Sequence, residues 1–300
     1  MTKPTVLFII GQTAVGKSAL ALNVAAQHNG EIISADSRQI YRQMDIGTAK
    51  PTSAELAQVP HHIIDVVAPD QVFTLAQYRD AALAQIAAIA TRGRLPMVVG
   101  GTGQYVAALL EGWSIPELPP NEPLRAELAA RAARDGGADL YAQLQLLDPV
   151  AAASIHATNV RRVMRALEVC LITGQPFSQL RQVQELTFVP RVVWLTSDTP
   201  ALYARIDQRV DVMMQAGLLA EVESLRAAGY GWELPAMSGI GYREFMPYFA
   251  GESTLAAVVE RIKFNTHAFA RRQATWFRRF DSHQTASSDL AEIRRIMQAS

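Results

Sequence analysis

Short apolar runs alternate with amphipathic stretches through the first hundred residues. Thr5 to Ile10 is solidly apolar and β-branched, and a Gly-bounded loop then leads into a helical pattern from Lys17 to His28. Glu31 to Ala35 reads as a second strand ending at Asp36, and His62 to Val67 as a third. Thr74 and Gln77 form a capping box that opens a helix from Leu75 to Arg92, closed near Gly93. Leu95 to Val99 and Val192 to Thr196 complete five strands. Buried strands alternating with helices predict an α/β fold whose mainly parallel sheet is covered on both faces. Ligands in such sheets bind beyond the carboxyl ends of the strands, where Gly11, Asp36 and Gly100 fall.

Between Trp113 and Pro190 the texture changes. Pro116, Pro119, Pro120 and Pro123 predict an extended lead-in, followed by three or four helical stretches with no convincing strand. The expected division is a core from 1–115 and 190–300, with C-terminal helices, and an all-helical insertion over 116–189. The last twenty residues read as weakly ordered.

Composition narrows the class. Of the 300 residues, 49% are apolar, ample for a sizeable core. No apolar run reaches membrane-span length, and Met1 to Pro4 carries no cleavable signal pattern, so a cytoplasmic protein is expected. The lone Cys170 argues against a disulfide framework or a zinc ribbon. The formal net charge is zero, so any nucleic-acid footprint must be local.

Gly11-Gln12-Thr13-Ala14-Val15-Gly16-Lys17-Ser18 matches the P-loop pattern between a strand and a helix. Its glycines let successive N–H groups curl round a phosphate. Lys17 adds positive charge, Ser18 offers a hydroxyl to Mg²⁺, and the helix directs its positive end at the same anion. A nucleotide hydrolase of this type usually has a second strand ending in Asp. Here Leu95 to Val99 ends in Gly100-Gly101-Thr102-Gly103 instead. The loop is therefore expected to hold a diphosphate leaving group rather than a nucleotide being hydrolysed. Asp36, at the end of its own strand, is either a general base or metal ligand beside the loop, or the cap of a helix start.

Asp36-Ser37-Arg38-Gln39, with Tyr41 and Asp45-Ile46-Gly47-Thr48-Ala49-Lys50-Pro51, resembles the signature of the tRNA dimethylallyltransferases, the IPP transferase family. So do Pro60-His61-His62 with Asp65, and Val99-Gly100-Gly101-Thr102-Gly103 with Tyr105. Leu147-Asp148-Pro149, Ile155-His156 and Arg161-Arg162 with Arg165-Ala166-Leu167-Glu168 follow in order. Gly239-Ile240-Gly241-Tyr242 with Glu244, and Arg271-Arg272-Gln273 with Thr275-Trp276-Phe277-Arg278, complete the set.

The resemblance implies a P-loop NTPase-like core. It also implies transfer of a dimethylallyl group from dimethylallyl diphosphate to the exocyclic amine of the adenosine 3′ of the anticodon, in tRNAs reading codons that begin with U. It makes Asp36 the general base, Lys17 and Thr102 catalytic, and Gly11 to Ser18 the diphosphate cradle, with Mg²⁺ near Ser18. It places Ser37, Arg38, Gln39 and Thr102 on the tRNA side. The chain departs from the family at Gln12, usually Pro, at Val15, usually Ser, and at His267, usually Arg.

Two basic patches are candidate tRNA contacts. Arg161, Arg162 and Arg165 cluster near a helix start in the insertion. Lys263, His267 and Arg271 recur every four residues beside Arg272, on a face opposite Val258, Ile262, Phe269, Trp276 and Phe280. The expected partners are tRNA and dimethylallyl diphosphate, with no membrane and a monomeric state. Three other readings remain open: a P-loop small-molecule kinase, a prenyltransferase of free adenine nucleotides, and a non-catalytic RNA-binding module.

Overall fold

A computed structural model of the chain describes residues 3–114, 121–180, 182–285, 293 and 295–296. Pro116, Pro119 and Pro120 of the expected lead-in, and most of the tail, lie outside the described residues. The chain folds as two compact units, one of 1–110 with 186–300 and one of 111–185.

The first unit opens with β1 (Thr5–Gly11), α1 (Lys17–His28), β2 (Gly30–Ala35) and α2 (Ser53–Gln58). It continues with β3 (His61–His62), α3 (Leu75–Thr91), β4 (Leu95–Gly100) and α4 (Gly103–Leu110). The capping box at Thr74 and Gln77 is present, and a second one joins Thr52 to Glu55. The third strand is far shorter than the apolar run His62 to Val67 predicts. Ile63 and Asp65 take φ of 60° and 56°, left-handed values that break the pleat, and pairing resumes only as a bridge from Val67 to Tyr41.

The second unit holds a two-residue pairing of β5 (Trp113–Ser114) with a later strand, which the insertion's pattern did not predict. Between them come α5 (Glu122–Asp135), α6 (Ala138–Leu147), α7 (Pro149–Ser154), α8 (Val160–Thr173) and α9 (Phe177–Leu180), then the partner strand β6 (Gln182–Val183). Leu128, Leu140, Leu144, Val163 and Leu167 form its own core. Two polar groups are buried there with their partners. Asp148 caps α7 through the Ala151 N–H at 2.9 Å and also holds Ser178. Glu168 takes Arg125 at 2.7 Å and Arg165 at 2.7 Å.

The first unit resumes with β7 (Val189–Leu195), α10 (Thr199–Gln215) and α11 (Leu218–Ala227), then α12 (Met246–Phe249), α13 (Leu255–Phe277) and β8 (His283–Thr285). The sheet has six strands in the order β3-β2-β4-β1-β7-β8, every pairing parallel. The sixth strand, β8, falls in the tail read as weakly ordered.

Period-two alternation in β1 divides the core. Leu7 and Ile9 join Leu20, Val24, Leu202 and Ile206 on one face. Val6, Phe8 and Ile10 join Tyr78, Ile86, Val222, Val258 and Phe277 on the other. Each such buried side chain stabilises the fold by roughly 1.5–3 kcal/mol. This double cover rigidifies β1, β2 and β4, whose carboxyl ends carry the loops described next. Among the described residues, no helix is long and apolar enough to cross a membrane.

Candidate active site

The loop Gly11 to Ser18 turns from β1 into α1 through Gly16, the N-cap, at φ 104°, a backbone that residues with a Cβ adopt only under strain. Val15 is buried among Leu20, Leu195 and Leu202, so its apolar side chain is a packing feature of this chain. Gln12 donates through Nε2 to Ala270 O at 3.2 Å, and Thr13 gives its N–H to Gln273 Oε1 at 2.8 Å. Ala14 stands at φ 59°, its carbonyl held by Arg205 Nε at 3.0 Å. Lys17 Nζ lies over the loop, 2.9 Å from Gly11 O and 2.7 Å from Gln12 O. Ser18 is exposed beside it.

A cavity of about 540 Å³ opens on this loop. Ala14, Gly16, Lys17 and Ser18 line it, with Arg205 and Arg209 from α10. Burial of the Lys17 ammonium, helped by Arg209 and opposed by Asp36, lowers its pKa from 10.5 to about 7. Burial also lowers the pKa of Arg209, again opposed by Asp36. The Asp36 carboxylate thus acts electrostatically on Lys17 and Arg209, two of the cations that line the cavity. Arg205 and Arg209 were not anticipated, although their four-residue spacing puts both on one face of α10.

Asp36 follows β2 directly and does not cap a helix. Its Oδ1 accepts the Arg38 N–H at 2.8 Å, closing a tight turn. Thr102 links this turn to the end of β4. Its N–H donates to Ala35 O at 3.0 Å, its Oγ1 accepts the Ser37 N–H at 3.0 Å, and its hydroxyl reaches Ser37 Oγ at 3.4 Å. The next residue, Gly103, leaves room for Trp276: a Cβ there would lie 2.9 Å from the indole ring. Trp276 is therefore half-buried against α4, and its neighbour Phe277 is the one fully buried in the core.

Arg38 and Gln39, expected to face RNA, are engaged within the protein. Arg38 Nη1 donates to Pro235 O at 2.5 Å. Gln39 accepts from Ser34 Oγ at 2.9 Å and donates to Ala49 O at 3.1 Å. The far end of the same loop is pinned by Glu221, which accepts the N–H groups of Asp45, Ile46 and Gly47 at 2.8, 2.7 and 3.1 Å. Tyr242 donates its hydroxyl to the same carboxylate at 2.7 Å. The Asp45-Ile46-Gly47 and Gly241-Tyr242 motifs meet there, a role that sequence spacing did not reveal.

The basic face of α13, a candidate tRNA contact, is largely engaged by α10. Lys263 pairs with Asp211 at 2.8 Å and Glu260 at 3.3 Å, and the Asp211 contact chiefly raises its pKa. His267 stacks on Tyr203 at 4.0 Å, with Nε2 2.8 Å from Asp207 Oδ1. Arg271 donates to the Tyr203 hydroxyl at 2.8 Å. Residues 203, 207 and 211 of α10 thus match 271, 267 and 263 of α13 rung by rung. Arg272 is exposed, its guanidinium 5.8 Å from the Phe269 ring centre.

In the second unit Arg161 and Arg162 are exposed, whereas Arg165 is tied to buried Glu168. His62 is bonded at 2.6 Å to Glu31, whose carboxylate two arginines also hold. Among the described residues, no group of three or more His, Cys, Asp or Glu side chains is placed to hold a metal.

Against known proteins, a family described as IPP transferase matches residues 39–280. A tRNA dimethylallyltransferase of Roseiflexus sp. (strain RS-1) is 57% identical over 286 residues, spanning 95% of this chain and 94% of that protein. One from Chloroflexus aurantiacus is 55% identical over 288 residues, spanning 96% and 97%. A solved tRNA isopentenylpyrophosphate transferase from Bacillus halodurans superposes with a TM-score of 0.70 at 38% identity, covering 99% of this chain and 94% of that one. A eukaryotic dimethylallyltransferase acting on tRNA gives 0.81 at 29% identity, covering 96% and 75%.

Proposed function

The chain belongs to the IPP transferase family of tRNA dimethylallyltransferases, and from that premise we propose that it moves the dimethylallyl group of dimethylallyl diphosphate onto tRNA. The acceptor is the exocyclic amine of the adenosine 3′ of the anticodon, in tRNAs reading codons that begin with U. One observation carries this reading: the parallel register ends β1 and β2 on either side of Gly100 in β4, so the phosphate loop that follows β1 and the Asp36 carboxylate that follows β2 leave the same edge of the sheet. A diphosphate leaving group and a proton-accepting base are the two things the reaction needs side by side. The kinase alternative is not favoured, because the relatives are named as dimethylallyltransferases.

An adenine amine is a weak nucleophile, its lone pair delocalised into the ring. As the nitrogen–carbon bond forms and the carbon–oxygen bond to diphosphate breaks, Asp36 takes the amine proton. General-base help of this kind contributes roughly 10²–10⁴-fold. Negative charge then grows on the diphosphate, where Lys17, Arg209 and the loop N–H groups stabilise it. Thr102 fixes Ser37 and so holds the Asp36 turn. The target base must leave the anticodon-loop stack to reach this site.

Mg²⁺ suits the donor set. Ser18 offers one exposed hydroxyl, and oxygens of a diphosphate together with waters would complete the mixed oxygen shell this ion prefers. Bound there, it would neutralise charge on the departing diphosphate. For RNA phosphates the candidate cations are exposed Arg161 and Arg162 in the second unit and exposed Arg272 in the first, with Arg271 beside the last.

The test is incubation of the protein with Mg²⁺, dimethylallyl diphosphate and unmodified tRNA, followed by nuclease digestion and mass spectrometry. Prenylated adenosine on tRNA, and none when AMP replaces it, is the expected result. No product with any tRNA, alongside ATP-dependent phosphorylation of a small molecule, would remove the proposal.

A further inference from the structure

Gln273 is one of the few buried polar side chains of the first unit, 4% exposed, and it lies on α13 far along the chain from both loops it touches. Its Oε1 accepts the Thr13 N–H at 2.8 Å, and its Nε2 donates to Gly101 O at 2.9 Å. These partners fix the orientation of the amide, because turning it over would set N–H against N–H and oxygen against oxygen. The packing is close: a Cβ on Gly101 would lie 2.3 Å from Nε2.

The two bonds go to the two halves of the site. Thr13 belongs to the loop that cradles diphosphate. Gly101 precedes Thr102, whose hydroxyl holds Ser37 next to Asp36. Each half also has anchors of its own. Lys17 and Arg205 hold the phosphate loop, and Thr102 bonds to Ala35 and Ser37. The hydrogen bonds of Gln273 reach both halves directly.

We propose that Gln273 is a positioning residue that sets the separation between the bound prenyl diphosphate and the acceptor base, an inference that rests on the transfer reading above. Displacement needs nucleophile and carbon about 3–3.5 Å apart and in line, and a misplacement of about 1 Å costs on the order of 10²-fold. A residue that tethers one loop to the other therefore acts on the rate of the bound complex. It should leave the affinity of either substrate nearly unchanged. Were it only satisfying two buried backbone groups, its loss would lower stability without a selective effect on that rate.

The experiment uses full-length Gln273→Met, which keeps the shape but makes neither bond, and Gln273→Asn, which keeps the amide but is too short to span both loops. Three quantities are measured: single-turnover prenyl transfer at saturating tRNA and dimethylallyl diphosphate, binding of inorganic diphosphate with Mg²⁺, and binding of tRNA. We expect the rate to fall by roughly 30- to 100-fold in both variants while each affinity stays within about threefold. A rate within about threefold of wild type in a folded variant would overturn the proposal. So would affinities that fall as far as the rate. If Gln273→Met does not fold, Gln273→Asn alone decides. Absence of product with the wild-type protein would instead remove the transfer reading, and this inference with it.

Discussion

The phosphate loop presents one cation, Lys17, and α13 a spaced row of basic side chains, and the fold uses them in opposite ways. In the loop, Lys17 is held by neutral carbonyls, at 2.9 and 2.7 Å, bonds that an arriving diphosphate can replace. On α13, Lys263 pairs with Asp211 of α10 and His267 lies 2.8 Å from Asp207, so both side chains are engaged within the protein. A cation serves a ligand when the structure leaves its field unbalanced, whatever its spacing. Helix spacing finds the face, but the neighbouring element decides what the face does.

The largest expected effect breaks the loop side of this comparison. Lys17→Met should lower single-turnover transfer by roughly 10²–10³-fold, the usual cost of losing one donor to developing charge. Arg209→Gln follows, with a loss of roughly tenfold or more and weaker diphosphate binding measured by calorimetry. An unchanged rate in either variant would take that cation out of the cradle.

A third prediction follows from the depressed pKa of Lys17, about 7. Below that pH the ammonium is already protonated, and diphosphate binds without taking up a proton. Above it, binding draws a proton onto Lys17, so this contribution weakens affinity by up to about tenfold per pH unit. Calorimetry at pH 8 in two buffers of different ionisation enthalpy should show close to one proton more taken up by wild type than by Lys17→Met. Equal uptake would mean that Lys17 does not titrate on binding.

The smallest effects sharpen the α13 side. Arg272→Ala should lower the salt slope of tRNA binding by about one, and Lys263→Ala by much less. Asp211→Ala should free Lys263 and steepen the slope slightly. A Lys263→Ala loss matching that of Arg272→Ala would show that the ion pairs do not withhold the cation.

Much of the site was legible because consecutive residues build it. Gly11 to Ser18 and the β2–Asp36 turn are local, and period-two and capping patterns placed their flanking elements. What escaped comes from afar or from backbone state. Gln273 meets Thr13 across 260 positions, and Arg209 reaches the cradle from a helix after the second unit. Nothing in the apolar run His62 to Val67 announces left-handed Ile63 and Asp65. The acids Asp207 and Asp211 were visible at helical spacing, but only the packing of α10 on α13 makes them partners of the basic face.

The most direct test is single-turnover transfer by Asp36→Asn at saturating tRNA and dimethylallyl diphosphate, with the product nucleoside identified by mass spectrometry. Both substrates should still bind while prenylated adenosine forms roughly 10²–10⁴-fold more slowly. A rate within about threefold of wild type would contradict the assignment of Asp36 as the base, and with it the proton transfer at the centre of the proposed mechanism.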